Sequence, residues 1–239
     1  MTIYLPQLGE DASYFPNIDE ALAEPDGLLA MGGDLSPQRI ISAYRNGIFP
    51  WFSEGEPLLW WSPSERATIC PGNVHISKSM KRFINKNHMS ITLNHSFSEV
   101  ITACAKPRVT QAETWITNEM IDAYIKLHKL GLAHSIEVWF EDELVGGLYG
   151  ICVGQTFCGE SMFSQMNNSS KLAFIALNQH FQANGGKLID CQMQTEHLKS
   201  LGVNALSRAD FKSNLLLTRD SLLNKGCWDK QPLSVKTTF

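Results

Sequence analysis

The segment KLIDCQ (residues 187–192) holds a carboxylate and a carboxamide two residues apart, Asp190 and Gln192. In a strand that spacing turns both to one side, where a carboxylate can orient an amide toward a reacting group. As residues alone, the pair reads first as the polar end of a strand. Glu160, in GESMFS, is a lone carboxylate in an apolar run. It needs a partner, and a structural ion pair meets that need as well as a substrate amine does. The six cysteines, at 70, 104, 152, 158, 191 and 227, form no CxxC pair and no cluster with zinc-site spacing. They read as reduced thiols, with Cys158 and Cys191 as small packing residues rather than nucleophiles. In ISKSMKRFINKN, Lys78, Lys81, Arg82 and Lys86 fall on one helical stripe, while Met80, Phe83 and Ile84 face elsewhere. Four cations without an intervening acid make either a solvated face or a phosphate track.

These groups sit in a chain of 239 residues, 44% hydrophobic and 18% charged, enough for one large core or a medium and a small one. The net charge of -4 argues against nucleic-acid binding over the whole surface, leaving a local patch. No apolar run approaches the roughly 20 residues of a membrane helix, and the first residues lack a basic flank. A cytoplasmic protein without membrane insertion is therefore expected.

The elements that must position the chemistry follow from punctuation and period. Residues 36–46 (SPQRIISAYRN) predict a helix capped by Ser36, opened by Pro37 and closed by Gly47. The aromatic, turn-rich IFPWFSEGEPLLWWSPSER predicts rings on a surface or a junction rather than inside a sheet. Farther on, residues 135–140 and 144–153 predict a hairpin across the acidic turn 141–143, and residues 155–163 a third strand. A helix over 167–186, a strand over 187–192 and a helix over 195–201 complete the pattern. This order is α+β with one switch from antiparallel to parallel pairing, and it resembles the GNAT acyltransferase fold. In that superfamily a Gly-rich loop binds coenzyme A, whereas SQMNNSSK here contains no glycine, which disfavours an acyl-coenzyme A donor.

Five blocks in order, GLLAMGGDLSPQRIISAYRNGIFPW, LLWWSP, ETWIT, FCGESMFS and LIDCQ, carry a more specific resemblance, to the bacterial leucyl/phenylalanyl-tRNA–protein transferases. It extends from about Phe15 to Arg208 and leaves the last thirty residues unread. The resemblance implies a small N-terminal α/β domain (1–66) packed on a GNAT-like catalytic domain (67–239). The implied reaction moves Leu, Phe and, less well, Met from aminoacyl-tRNA to proteins with N-terminal Arg or Lys, marking them for proteolysis. It implies no metal and no cofactor, and a monomer is expected. Related transferases that add amino acids from tRNA to cell-wall peptides carry two such domains, for which this chain has no room.

On the same resemblance Asp190 and Gln192 are the catalytic pair, with Glu160 at the junction of donor and acceptor. Aminolysis of an ester by an amine is downhill, so positioning matters more than driving force. The expected arrangement has the Asp190 carboxylate accepting from the Gln192 amide, whose oxygen then faces the incoming amine. A proton path through the substrate's adenosine hydroxyl stays open. Trp51 and Trp115 match the tryptophans that contact the terminal adenosine, a stacking interaction worth roughly 1–3 kcal/mol. Phe157 matches the wall of the pocket for the transferred side chain, with Gly159 and Ser161 beside it as substrate-binding residues. Burial alone favours Leu over Ala by roughly 2.4 kcal/mol. The stripe Lys78, Lys81, Arg82 and Lys86 falls where the family carries basic residues for the tRNA acceptor stem. Replacing Lys81 and Arg82 should weaken binding of every charged tRNA alike and lower the salt slope by about one for each phosphate that is no longer neutralised. Titrations at several salt concentrations check this, and an unchanged slope rules the stripe out.

Overall fold

The computed structural model describes residues 5–106 and 115–237. Glu113 and Thr114, the first two residues of the ETWIT block, lie outside the described residues. The described residues hold twelve strands and seven α-helices. The N-terminal part has β1 (Gln7–Leu8), β2 (Leu28–Gly32), α1 (Pro37–Arg45), β3 (Phe49–Pro50), β4 (Leu59–Trp61) and β5 (Glu65–Ile69). Next come α2 (Lys78–Lys86), β6 (Ser90–Leu93), α3 (Phe97–Ala105) and α4 (Asn118–Lys129). The succession β7 (Ala133–Phe140), β8 (Glu143–Val153), β9 (Thr156–Ser164), α5 (Ser169–Ala183) and β10 (Leu188–Asp190) leads to α6 (Glu196–Ser200). The chain closes with β11 (Asn204–Ser207), α7 (Arg208–Thr218) and β12 (Gln231–Leu233).

The strands form a four-stranded sheet, β1-β2-β4-β3, and an eight-stranded sheet, β11-β5-β10-β9-β8-β7-β6-β12. The fold class is therefore α+β. The expected hairpin is β7–β8, and its turn places Glu141 and Asp142 at φ 50° and 65°, the left-handed pair that a tight hairpin turn requires. The expected switch is also present: β8–β9 is antiparallel, and β10 returns parallel to β9 after crossing through α5. The crossover helix presses close to the sheet, because a Cβ on Gly146 would collide with the Ser169 side chain. Its start differs from expectation. Asn168 is left-handed and makes no side-chain cap, while the Ser169 hydroxyl donates to the carbonyls of Val145 or Met166 at 2.9 and 2.8 Å.

The aromatic N-terminal segment is a sheet after all. Trp60 is fully buried on β4, edge-on to Phe15 at 4.9 Å, with its Nε1 donating to the Gly32 carbonyl at 2.9 Å. Irregular flanks hid two short strands whose pairing supplies the order that the local sequence lacks. The same long-range logic applies to α3. Ser96 makes no side-chain cap, and the buried Glu137 carboxylate accepts from the backbone N–H groups of His95 and Ser96 instead, both at 3.3 Å.

Two large clusters of buried apolar side chains lie around the eight-stranded sheet. One joins residues of α1, β3 and β4 to α3, α4 and the side of β8 carrying Tyr149 and Ile151. The other gathers Leu148, Phe157, α5 and α2. The C-terminal tail, unread in sequence, packs on the second cluster. Its Trp228 stacks flat on His134 (4.0 Å between centroids, 4° between planes) and touches Phe157 and Phe181 at 5.6 and 5.8 Å. Burial, aided by His128, pushes the His134 pKa down to about 3, so the folded chain keeps this ring neutral. An unfolded His takes up its proton near pH 6.5, so between pH 6.5 and 3 the unfolded state binds more protons than the native state, and stability falls as pH falls through that window. His134→Phe keeps the stack and removes the titration. Its denaturation-derived stability should decline less steeply from about pH 6.5 to about 4 than the parent's, and parallel curves would refute the assignment.

Candidate active site

The cavity exists because β9 and β10 part company. They pair only from Thr156–Leu188 to Cys158–Asp190. Beyond that point β9 stays with β8 as far as Ser164, while the chain after Asp190 stays with β5 through Cys191 N–H to Ala67 O (2.8 Å) and Ala67 N–H to Gln192 O (3.0 Å). Between the diverging strands opens a cavity of about 890 Å³. On one side of the sheet it is lined by Leu148, Met162, Phe174, Leu177, Ile189 and Leu198, an apolar set. On the other side Phe49, Trp51, Trp115, Tyr149 and Glu160 meet it, with Gln192 at the split.

The floor of the split is a buried ion pair. Arg66 donates from Nε to Asp190 Oδ1 and from Nη2 to Oδ2, both at 2.8 Å, with exposures of 1% and 0%. Its Nη1 donates to the Gly47 carbonyl at 2.9 Å, and its guanidinium lies between the rings of Phe49 and Phe211, 4.8 and 4.5 Å away. Asp190 Oδ1 also accepts from the backbone N–H of Gln192 at 3.0 Å. That bond closes an Asx-type turn and holds Gln192 at φ 56°, a left-handed conformation uncommon for a glutamine.

The expected pairing of the two side chains is thereby corrected. β10 ends at Asp190, so Gln192 lies in the turn beyond it, and the Gln192 side-chain amide donates to Glu160 Oε1 at 3.2 Å, not to Asp190. Asp190 is saturated by Arg66 and by backbone, and it does not line the cavity. Glu160 Oε2 accepts from the Tyr124 hydroxyl at 2.9 Å, and the hydroxyls of Tyr124 and Tyr44 lie 2.8 Å apart. Since the single Tyr124 proton goes to Glu160, Tyr44 donates to Tyr124. Among the described residues Glu160 forms no ion pair, the structural alternative posed by the sequence. Burial pushes its pKa up to about 7 against the hydroxyls of Tyr44 and Tyr124; Asp190 adds to the rise and Arg66 opposes it.

Of the other expected residues, Trp51 (37% exposed), Trp115, Gly159 and Ser161 all line the cavity. Phe157 does not. It is buried against Phe181 and Trp228 on the α5 side, so it backs the wall rather than forming it, because its position on β9 turns it into the second core cluster. Lys78, Lys81, Arg82 and Lys86 are all exposed along α2, with Met80 buried beneath them, and none lines the cavity. Burial raises the thiol pKa values of Cys158 and Cys191 well above the ordinary range, which suits packing residues. Arg66, Tyr44, Tyr124 and Tyr149 were not anticipated. Arg66 precedes the apolar run ATI of β5 and requires a partner where it is buried, and LID offers one; the phenols carried no such signal.

The arrangement presents a hydrogen-bond acceptor, the Gln192 amide oxygen, next to a carboxyl group that titrates near neutrality, beside an apolar recess. It can receive an amine and place it against an acyl carbon. Removing one partner of a buried pair strands the other charge. Arg66→Met should therefore cost about 3–5 kcal/mol in chemical denaturation, and Arg66→Met combined with Asp190→Leu should recover most of it while still losing the Gln192 turn. Equal losses in the single and double variants would contradict this account.

Sequence models of the leucyl/phenylalanyl-tRNA–protein transferase family match residues 68–216, and those of its N-terminal domain residues 33–64. A leucyl/phenylalanyl-tRNA–protein transferase of Psychromonas ingrahamii is 60% identical over 99% of both chains. One of Tolumonas auensis is 50% identical over 98% of this chain and all of its own, and one of Aliivibrio salmonicida 54% identical over 98% and 99%. A functionally unknown conserved protein from Staphylococcus epidermidis, of solved structure, aligns with a TM-score of 0.40 at 11% identity over 75% of this chain and 68% of its own, a likeness too slight to bear on the fold. With matches along nearly its whole length, carrying Trp51, Glu160, Asp190 and Gln192 within them, the chain belongs to the leucyl/phenylalanyl-tRNA–protein transferase family.

Proposed function

We propose that this protein transfers Leu or Phe, and less readily Met, from aminoacyl-tRNA to the α-amino group of proteins with N-terminal Arg or Lys, marking them for proteolysis. The observation that carries the reading is the split between β9 and β10, with an apolar recess on one side and the Gln192–Glu160 pair at the junction. The donor's side chain fills the recess formed by Leu148, Met162, Phe174, Leu177, Ile189 and Leu198. Its adenosine lies on the opposite side, against Trp51 and Trp115. Such a recess separates large apolar residues from small ones by buried area and distinguishes isomers only weakly.

In the step itself the acceptor nitrogen attacks the ester carbonyl carbon, forming a C–N bond, and the bond to the ribose oxygen then breaks. The nitrogen must shed a proton, and the departing oxygen must gain one. An α-amino group has a reference pKa of about 8, so a weak base suffices. The Gln192 N–H group is engaged by Glu160, which leaves the amide oxygen to accept a hydrogen bond from the amine. Glu160 is the carboxylate at that junction and receives the proton or relays it toward the ribose. Asp190 touches no substrate in this scheme; it is a positioning residue that sets the Gln192 turn.

The succession β7, β8, β9, α5, β10 supports a GNAT-like catalytic domain over 67–239, with residues 1–66 as the smaller domain. The donor's tRNA runs over the basic face of α2. No described helix is long and apolar enough to cross a membrane. Charged tRNA as the donor supports a cytoplasmic reaction.

Labelled Leu-tRNA incubated with peptides that begin with Arg, Lys or Ala should label the first two and spare the third. A protein that binds charged tRNA without labelling any peptide is a carrier, and the reading fails. With Glu160 ionising near 7, transfer should rise as pH passes through that value and again toward the amine's own pKa of about 8. Glu160→Gln should keep donor binding, lose about 10²–10³ in transfer rate and abolish the lower-pH limb of the profile. A parent profile with no inflection there would exclude Glu160 from proton transfer.

A further inference from the structure

Three tyrosines surround Glu160, and two of their hydroxyls are committed: Tyr44 donates to Tyr124, and Tyr124 to Glu160. The third, Tyr149 on β8, is fully buried, edge-on to Tyr124 (5.6 Å, 85°) and Phe97 (5.8 Å, 77°). Its hydroxyl is buried and has no hydrogen-bond partner among the described residues, although Tyr149 lines the cavity. A buried hydroxyl without a partner is destabilising, so its persistence in a cavity wall points to a ligand that completes it.

The surroundings define that ligand's charge. The charged group that acts on the Tyr149 hydroxyl is Glu160. Cys104 lies in the last turn of α3, and Ala103 and Lys106 of the same helix end line the cavity. The last carbonyls of a helix carry partial negative charge. The Ala103 carbonyl is capped there by the backbone N–H of Lys106. Lys106 itself is exposed at the rim. A carboxylate, the negative end of a helix and a free phenolic oxygen together favour a cationic hydrogen-bond donor. Adenosine needs no such field, and the apolar donor side chain is excluded by it.

We propose that the Tyr149 hydroxyl accepts a hydrogen bond from the basic side chain of the acceptor's first residue, making Tyr149 a specificity-determining residue for Arg and Lys. This rests on the transferase reading above and names the part of the cavity that reads the acceptor. Tyr149→Phe removes only the oxygen. Because that oxygen has no partner among the described residues, the variant should melt no lower than the parent. Argininamide, used as the probe, should raise the melting temperature of the parent and have a much smaller effect on the variant. In transfer assays KM for an Arg-first peptide should rise about tenfold, with kcat and the KM for Leu-tRNA within about twofold of the parent. A rise in KM for Leu-tRNA would place the hydroxyl against the donor and overturn the proposal. So would identical argininamide shifts in the two proteins, or a lowered melting temperature, which would mark a purely structural role. If the parent transfers nothing, the functional reading fails by itself, and the argininamide comparison still judges Tyr149.

Discussion

Taking a guanidinium and a carboxylate out of water costs several kcal/mol per ion, and Coulombic attraction offsets that only with near-ideal geometry and every remaining donor occupied. Arg66 and Asp190 have that geometry, and each of the three guanidinium nitrogens has an acceptor. Two parallel bonds of 2.8 Å join them, the Gly47 carbonyl takes a third N–H, and two aromatic faces cover the guanidinium. The pair ties β5 to β10 and brings the Gly47 turn and Phe49 from the N-terminal region onto the eight-stranded sheet. Asp190 can then take the Gln192 N–H, and this one bond sets the conformation from which the glutamine side chain reaches Glu160. Loss of the pair would leave the Gln192 amide without a fixed direction.

The cavity is a consequence of strand pairing. After three paired residues β10 follows β5 rather than β9, so the sheet opens where its central strands would otherwise continue. An opening of this kind exposes both faces of the sheet to one space. The apolar recess inherits its lining from the core beneath α5, and the polar half inherits its own from α1, α4 and the aromatic N-terminal strands. The two halves differ in chemistry because they belong to different sides of the sheet. A reaction that joins an apolar acyl donor to a charged acceptor makes use of that difference.

Glu160 gains its character from the same arrangement. It sits opposite a buried ion pair that has no spare charge to lend, so burial raises its pKa and hydroxyl donors hold it only part of the way back. A carboxyl group that titrates near neutrality is one that can exchange a proton with an amine. The tail contributes from behind. Trp228 packs against Phe157 on β9, so it braces the strand that holds the Glu160 carboxylate.

Much of this protein was legible in its residues. The strand periods, caps and turns around the β7–β8 hairpin, β9, α5 and β10 are local, and local sequence specifies them. The motifs around Trp51, Glu160, Asp190 and Gln192 carried the family resemblance, and the charge stripe of α2 was readable because helical spacing alone exposes it. What sequence left open depended on which distant groups meet. Asp190 turned away from the Gln192 side chain because Arg66, 124 residues earlier in the chain, claims its carboxylate. Phe157 moved out of the pocket because the tail's Trp228 and α5 bury it. The phenols of Tyr44, Tyr124 and Tyr149 joined the site only when three separate elements converged on Glu160. Sequence determines which faces an element will bury. The contacts that decide a side chain's direction at an active site come from other parts of the chain, and folding alone brings them together.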